Sequence, residues 1–409
     1  MNKSLVINNI SRLVTMEPGP NREGELGVII DAAVRIEDGR VQWVGKQADL
    51  PASSGDIVDA KRAVVLPGLV DCHTHIVHGG FRQQEFNLRS QGKTYQEIAK
   101  QGGGIMSSVK STRESSEKDL VHNAKARLDE ALSFGTTTLE IKTGYGLDLD
   151  TEMKMVRVIE KLNEDSALSI KGTFLGAHVV PAEYKDKRDE YVKLVIDNML
   201  SQAASSNAIS ACDVFVEEGA FTSDEARAIA KRAKELGLNL HVHVDQFTDS
   251  SGGVLAAELG ALSADHLDYT TEKGASAMAK AGVVGVLLPG ASFFTGHGAY
   301  PNAKMLKKNG VKLAIATDYN PGTNPSLNLW LAATIAITQM GMSCDDALLG
   351  ITKHAAQALG IKDAGKVAKG VRADLLLLDA LDEYFPLYRY GVNFVKAVII
   401  DSKLVSGEL

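Results

Sequence analysis

The chain has 409 residues, 44% hydrophobic and 23% charged, with a net charge of −7. That length exceeds one ordinary domain but fits a large α/β barrel with an appendage. The negative charge argues against nucleic acid or an anionic membrane as partner, and no apolar run approaches the roughly 20 residues of a membrane span.

The amino terminus, Met1 to Ile7, reads as the start of a strand, not as a signal peptide. Three scattered cysteines, Cys72, Cys212 and Cys344, imply a reducing compartment, the cytoplasm, and no disulfide framework. The first 65 residues read as short strands and turns. Leu5–Ile10, Ala33–Glu37 and Val41–Val44 are strands, and Asp38-Gly39-Arg40 marks a hairpin turn. Val64 to Asp71 is a further apolar run, ending in His73-Thr74-His75. From there strands and helices alternate. Thr136–Lys142 is a strand, Thr151–Glu164 an amphipathic helix, and Lys171–Ala177 and Asp213–Glu217 are strands. Thr222 and Glu225 form a capping-box pattern before a helix with Ala226, Ile229, Ala230, Ala233 and Leu236 on one face, stopped by Gly237. The strands Leu238–Val244, Ser263–Leu267, Val283–Leu288 and Leu313–Thr317 follow. The apolar stretch Trp330–Met340 suits barrel packing or a subunit contact. Asp374–Leu378 and Val395–Ile400 return to the style of the opening segment.

Counting the strand before His73, the central part holds eight strands, most separated by helical segments. This predicts a closed parallel (β/α)8 TIM-like barrel over residues 66–365, with a small β domain built from both chain ends, 1–65 and 366–409. An open doubly wound sheet is the alternative. It calls for a phosphate or dinucleotide loop, and Gly102-Gly103-Gly104 does not follow a strand in that pattern.

Barrel enzymes carry their sites at the carboxyl ends of the strands. In order, those ends offer His73 and His75, then Lys142 to Gly146, His178, Glu217-Glu218, the run His241, His243 and Asp245, Asp265-His266 and Asp318. Six of the chain's ten histidines stand there, which a purely structural role does not require. Residues two apart on an extended segment face the same way, so His73 and His75 project into one space. With His243 and Asp318 they make a ligand set for one ion with a position left for water, whose pKa a zinc ion lowers toward about 7. His241 shares the face of His243 one layer deeper and belongs to the barrel interior, and Cys72, facing away from His73, is packing.

The segment Leu66-Pro67-Gly68-Leu69-Val70-Asp71-Cys72-His73-Thr74-His75, with a later strand histidine, Asp265-His266 and Thr317-Asp318, resembles the amidohydrolase superfamily. Five further segments look like its imidazolonepropionase family: Phe81 to Phe86, Gly102 to Ile105, Glu140 to Leu147, Phe174 to His178 and Asp318 to Thr323. The resemblance covers essentially the whole chain, in one order. It implies a barrel with a small β-sandwich, one zinc or iron ion per subunit, and hydrolytic ring opening of 4-imidazolone-5-propanoate to N-formimidoyl-L-glutamate in histidine degradation.

By the same resemblance Arg82 pairs with the substrate's propionate, in two-point geometry that a lysine lacks. Tyr145 and His178 contact the ring, Asn320, Gly322 and Thr323 belong to a loop that contacts product, and His266 and Asp318 do the proton work. Gln246 stands where deaminases of the superfamily carry a glutamate. An amide cannot titrate near neutrality, so here it orients the substrate. Lys142 and Glu217 are the candidates for bridging a second ion, and one ion is preferred. A dimer is a family-level expectation. Another cyclic amidase or a heterocycle deaminase is the runner-up, and a catalytically silent metal-binding barrel is the reading from a different class.

Overall fold

The computed structural model describes residues 4–52, 55–93, 97, 102–296 and 298–408, so Met1–Lys3 lie outside the described residues. Eight parallel strands pair in sequence order: Leu69–Asp71, Thr136–Lys142, Ser169–Ala177, Ile209–Val216, Asn239–Val244, Ser263–His266, Val284–Leu287 and Leu313–Ile315. The first and last strands meet only beyond their ladders. Thr74 bridges Tyr319 in parallel, Asp318 N–H donates to the His73 carbonyl at 3.0 Å, and His75 N–H donates to the Tyr319 carbonyl at 2.8 Å. Closure of the barrel therefore sets His73, His75 and Asp318 side by side at its carboxyl rim.

Helices cover the outside. The capping box at Thr222 and Glu225 forms as expected and starts helix Ser223–Glu235, which buries Ala226, Ile229, Ala230 and Ala233. The helix expected at 151–164 spans Leu149–Asp165, with Asp148 capping it by accepting from Thr151 N–H. Helix Leu329–Met340 buries Leu329, Trp330, Ala332, Ala333 and Ala336, and the Trp330 indole donates to the Phe134 carbonyl at 3.0 Å. Its apolar character serves barrel packing.

Both chain ends join a second, mixed sheet of eight strands. Val64–Pro67 lies at its centre, parallel to Ser4–Val14 and antiparallel to Leu375–Leu378. The apolar run leading to His73 is thus two strands divided at Gly68. A Cβ on Gly68 would lie 2.1 Å from Thr137 Oγ1, so only glycine lets the chain pass from one sheet to the other. Alternation then serves two cores at once. Val65, Leu375 and Leu377 pack with Ile7, Ile10, Ile36 and Ile399 inside the terminal sheet. Val64, Leu66, Leu376 and Leu378 face the barrel's apolar core. The turn at Gly39 reaches across to the other end of the sheet, accepting from Ala373 N–H at 2.8 Å and donating to Ser402 Oγ at 3.2 Å.

Candidate metal centre and active site

The rim of the barrel gathers the imidazoles. Ring centroids of His73 and His75 are 5.3 Å apart, those of His73 and His243 4.5 Å, and those of His75 and His243 5.9 Å. One nitrogen from each of the three lies within 4.8 Å of the others. Asp318 Oδ1 stands 3.6 Å from the Nε2 atoms of both His73 and His75. Bonds of about 2.1 Å to a common ion leave its ligand atoms roughly 3.4 Å apart, so these spacings fit.

Hydrogen bonding supports the same fit. His73 Nδ1 is 2.6 Å from Asp265 Oδ2, whereas His73 Nε2, on the side of Asp318, is buried with no hydrogen-bond partner among the described residues. With the Nδ1–H of His73 directed at Asp265, Nε2 keeps a free lone pair, the usual arrangement behind a metal-binding histidine, while burial pushes the Asp265 carboxyl itself up, against the pull of Lys142. His243 Nδ1 has a carboxylate in the same place, Asp213 Oδ2 at 2.9 Å. Burial, helped by neighbouring positive charge, holds the imidazoles of His73, His75 and His266 well below the usual histidine range, so they are neutral donors of a lone pair. Burial pushes the Asp318 carboxyl up to about 7, against hydrogen bonds from Asn320 and Thr323. Two of these side chains hang from left-handed backbone: φ is 52° at Asp318 and 80° at His266, conformations a non-glycine residue keeps only where the surroundings enforce them.

Beneath the imidazoles lies a wholly buried ionic layer. Lys142 Nζ sits 2.7 Å from Asp213 Oδ2, 2.8 Å from Glu140 Oε2 and 3.7 Å from Asp265 Oδ2. Against the burial that would lower it, these carboxylates hold the Lys142 ammonium above the usual lysine range. A protonated amine has no lone pair to offer, so Lys142 is not placed as a metal ligand. Glu217 is not in the cluster either. It accepts from Phe247 N–H at 2.8 Å, Thr248 N–H at 3.3 Å and Thr248 Oγ1, fixing the loop that follows the fifth strand. His241 bonds Ser263 Oγ at 2.9 Å in the interior, and Cys72 packs with Val70, Val284 and Val286.

Above the imidazoles opens a pocket lined by His75, Arg82, Tyr145, His178, Gln246, His266, Asp318, Asn320 and Thr323, with Ile105, Val179, Phe215 and Phe247 adding apolar wall. Gly322 is not on the wall. It lies under Arg82, where a Cβ would meet Nη1 at 2.1 Å. Asn320 knits its own loop: Oδ1 accepts from Gly322 N–H at 2.8 Å and Thr323 N–H at 2.7 Å, and Nδ2 donates to the Asp318 carbonyl at 2.8 Å.

Three carboxylates that support the pocket carry no signal in the sequence reading. Glu85 Oε2 accepts from Arg82 Nε at 2.9 Å and Nη2 at 2.7 Å, and its Oε1 accepts from Gly104 N–H at 3.1 Å, which gives the glycine-rich segment its role. Glu152, in the first turn of its helix, accepts from Gly146 N–H at 2.8 Å, Leu147 N–H at 2.9 Å and Gly144 N–H at 3.2 Å. Asp213 backs His243 as described. His178 Nδ1 is 3.0 Å from the Gly144 carbonyl, which can only accept, so Nε2 keeps its lone pair. Burial lowers this imidazole to about 4.

Comparison with known proteins places this geometry. The amidohydrolase family model matches residues 64–405. The imidazolonepropionase of Paracoccus denitrificans is 44% identical over 97% of this chain and 98% of its own. That of Thermoanaerobacter pseudethanolicus is 42% identical over 98% and 97%. Among solved structures, 5-methylcytosine deaminase from Klebsiella pneumoniae liganded with 5-fluorocytosine superposes with a TM-score of 0.77 at 18% identity, over 99% of this chain and 98% of that one. An adenosine deaminase from Xanthomonas campestris with bound zinc gives 0.71 at 19% identity, over 98% and 92%. The deaminase likenesses speak for the fold alone. The nearly full-length matches speak for the family: the chain belongs to the amidohydrolase family and, within it, to the imidazolonepropionases.

Proposed function

We infer that this chain hydrolyses the cyclic amide of 4-imidazolone-5-propanoate to N-formimidoyl-L-glutamate, a step of histidine degradation. The observation that carries the reading is identity of 40–44% to curated imidazolonepropionases across nearly the whole chain. His73, His75, His243 and Asp318 would hold one zinc or iron ion per subunit. Imidazole and carboxylate suit either metal, which supplies the Lewis acidity that makes water nucleophilic near neutral pH.

The chain's own groups account for the remaining chemistry. Arg82 offers the guanidinium edge not taken by Glu85 to the propionate, beside the Gly322 and Thr323 backbone. Tyr145 and His178 flank the ring, and Gln246 hydrogen-bonds it without exchanging protons. His266 donates to the ring carbonyl oxygen as water adds to its carbon. Asp318 Oδ2 takes the proton that the water loses and returns it to the ring nitrogen as the carbon–nitrogen bond breaks. The new carboxylate and the formimidoyl-bearing nitrogen together account for the added water. The amide of Gln246 disfavours the deaminase alternative, in which a titrating group at that place serves the leaving amine. Three free cysteines support a cytoplasmic enzyme, and the net charge of −7 disfavours nucleic acid or an anionic membrane as partner. A homodimer is proposed from the family, to be checked by sedimentation.

The test is a substrate panel. Purified protein given the imidazolone should yield a product heavier by one water and should leave hydantoin, guanine and cytosine unchanged. Activity should vanish on chelation and return with zinc or ferrous iron. Turnover of another ring and none of the imidazolone would sink the assignment.

A further inference from the structure

The ionic layer beneath the imidazoles contains a second cation site. Asp213, His243 and Asp265 place one donor atom each within 4.8 Å of one another, a grouping that could hold a metal and shares His243 with the first. Glu140 stands at its edge. Its strand neighbour two residues on, Lys142, projects from the same face into the middle of the cage. The ammonium is 2.7 Å from Asp213 and 2.8 Å from Glu140, every one of these side chains is wholly buried, and Asp213 Oδ1 has no hydrogen-bond partner among the described residues.

We propose that Lys142 is a built-in counter-cation that occupies this second site and so limits the centre to a single divalent ion. The inference rests on the metal reading given above. The physical reason is charge balance. Carboxyl groups removed from water can ionise only with positive charge close by, and an uncompensated buried charge is strongly destabilising. A tethered ammonium provides that charge without a binding equilibrium. A divalent ion in the same cage would face it at near-contact distance, with repulsion little screened by solvent. Removing the ammonium while keeping the carboxylates reverses the preference: the cage then has oxygen ligands, an imidazole and an unmet demand for positive charge. The same lysine leaves Asp265 free to accept from His73 and holds Asp213 2.9 Å from His243 Nδ1, so the layer that excludes a second ion also stands behind the ligands of the first.

The experiment counts metal. Apoprotein is saturated with zinc or manganese, freed of excess, and assayed by elemental analysis, with manganese spin coupling read by electron paramagnetic resonance. The wild type is expected to hold one equivalent with an uncoupled signal. Lys142→Met and Lys142→Gln are expected to hold two, with coupled manganese, and to revert to one when Asp213→Asn is added. A variant that unfolds in chelator is expected to refold with zinc, because the ion replaces the missing charge. Two equivalents in the wild type, one in a folded Lys142 variant, or an unfolded variant that zinc does not rescue would each overturn the proposal. A wild type that binds no metal would instead overturn the reading on which it rests.

Discussion

Arg82 is held from behind before any substrate arrives. Glu85 takes its Nε and Nη2 atoms, and Gly322 lies flat against Nη1. A guanidinium fixed on two sides presents its remaining donors in one orientation, which a flexible ammonium cannot do. Arg82→Lys is therefore expected to raise KM for the imidazolone about 10- to 100-fold, the worth of a two-point charged hydrogen bond, with a smaller change in kcat. Gly322→Ala should push in the same direction without touching the charge, because its methyl would stand 2.1 Å from Nη1. Steady-state kinetics on both variants check this, and an unchanged KM in Arg82→Lys would remove Arg82 from the site. The residues legible from the sequence alone are those whose chemistry is rare at strand ends: the His-x-His pair, His243, His266 and Asp318. Glu85 was not legible. An acidic residue three positions from an arginine on a helix is an ordinary surface pair in any sequence, and only the fold turns it toward a pocket.

At the scale of elements, the loop after the second barrel strand owes its shape to one side chain. Glu152 gathers the amides of Gly144, Gly146 and Leu147 from the first turn of the following helix, where a carboxylate also suits the helix dipole. That loop carries Tyr145, and its Gly144 carbonyl orients His178. In Glu152→Gln the retained Oε1 still accepts from the loop amides, but an amide N–H₂ replaces Oε2 and faces the Gly144 N–H 3.2 Å away, a donor-against-donor contact in a buried place that costs about 1–3 kcal/mol. The expected result is a several-fold higher KM with metal content unchanged, since none of the proposed ligands, His73, His75, His243 and Asp318, lies on this loop. Equal loss of metal would show the effect to be global unfolding. Much of the architecture could be read from periodicity, because buried parallel strands and capped amphipathic helices leave local traces. Two features could not. The division of the run before His73 at Gly68 depends on Thr137, a contact made across the junction of two sheets. The closure that joins Thr74 to Tyr319 is a bridge between residues far apart in the chain. Lys142 shows the same limit: at a strand end it reads as a candidate metal bridge, and only the convergence of Glu140, Asp213 and Asp265 shows it to be a salt-bridged cation.

The whole molecule is two sheets sharing one seam, and the seam contains a charge that burial disfavours. Gly68 N–H donates to the Asp374 carbonyl at 2.8 Å where the chain crosses from the terminal sheet to the barrel. The Asp374 side chain is buried there, with Oδ2 3.3 Å from Arg372, while Arg372 also donates to Thr138 of the second barrel strand at 2.9 Å. Burial pushes this carboxyl up to about 6, with Arg372 opposing and Asp363 and Asp401 adding to the rise. In the unfolded chain an aspartate titrates near 4. Between about pH 4 and pH 6 the folded protein thus binds more protons than the unfolded chain, so this residue's contribution to stability falls as pH rises through that window and stays at its low value above it. About two pH units correspond to at most ~3 kcal/mol. Asp374→Asn removes the ionisation while keeping a polar group beside Arg372. The variant should match the wild type near pH 4 and exceed it at pH 7.5, by up to ~3 kcal/mol, when both are unfolded by urea in the presence of chelator. A difference independent of pH would mean that Asp374 does not titrate in this window, and that the seam tolerates its charge through Arg372 alone.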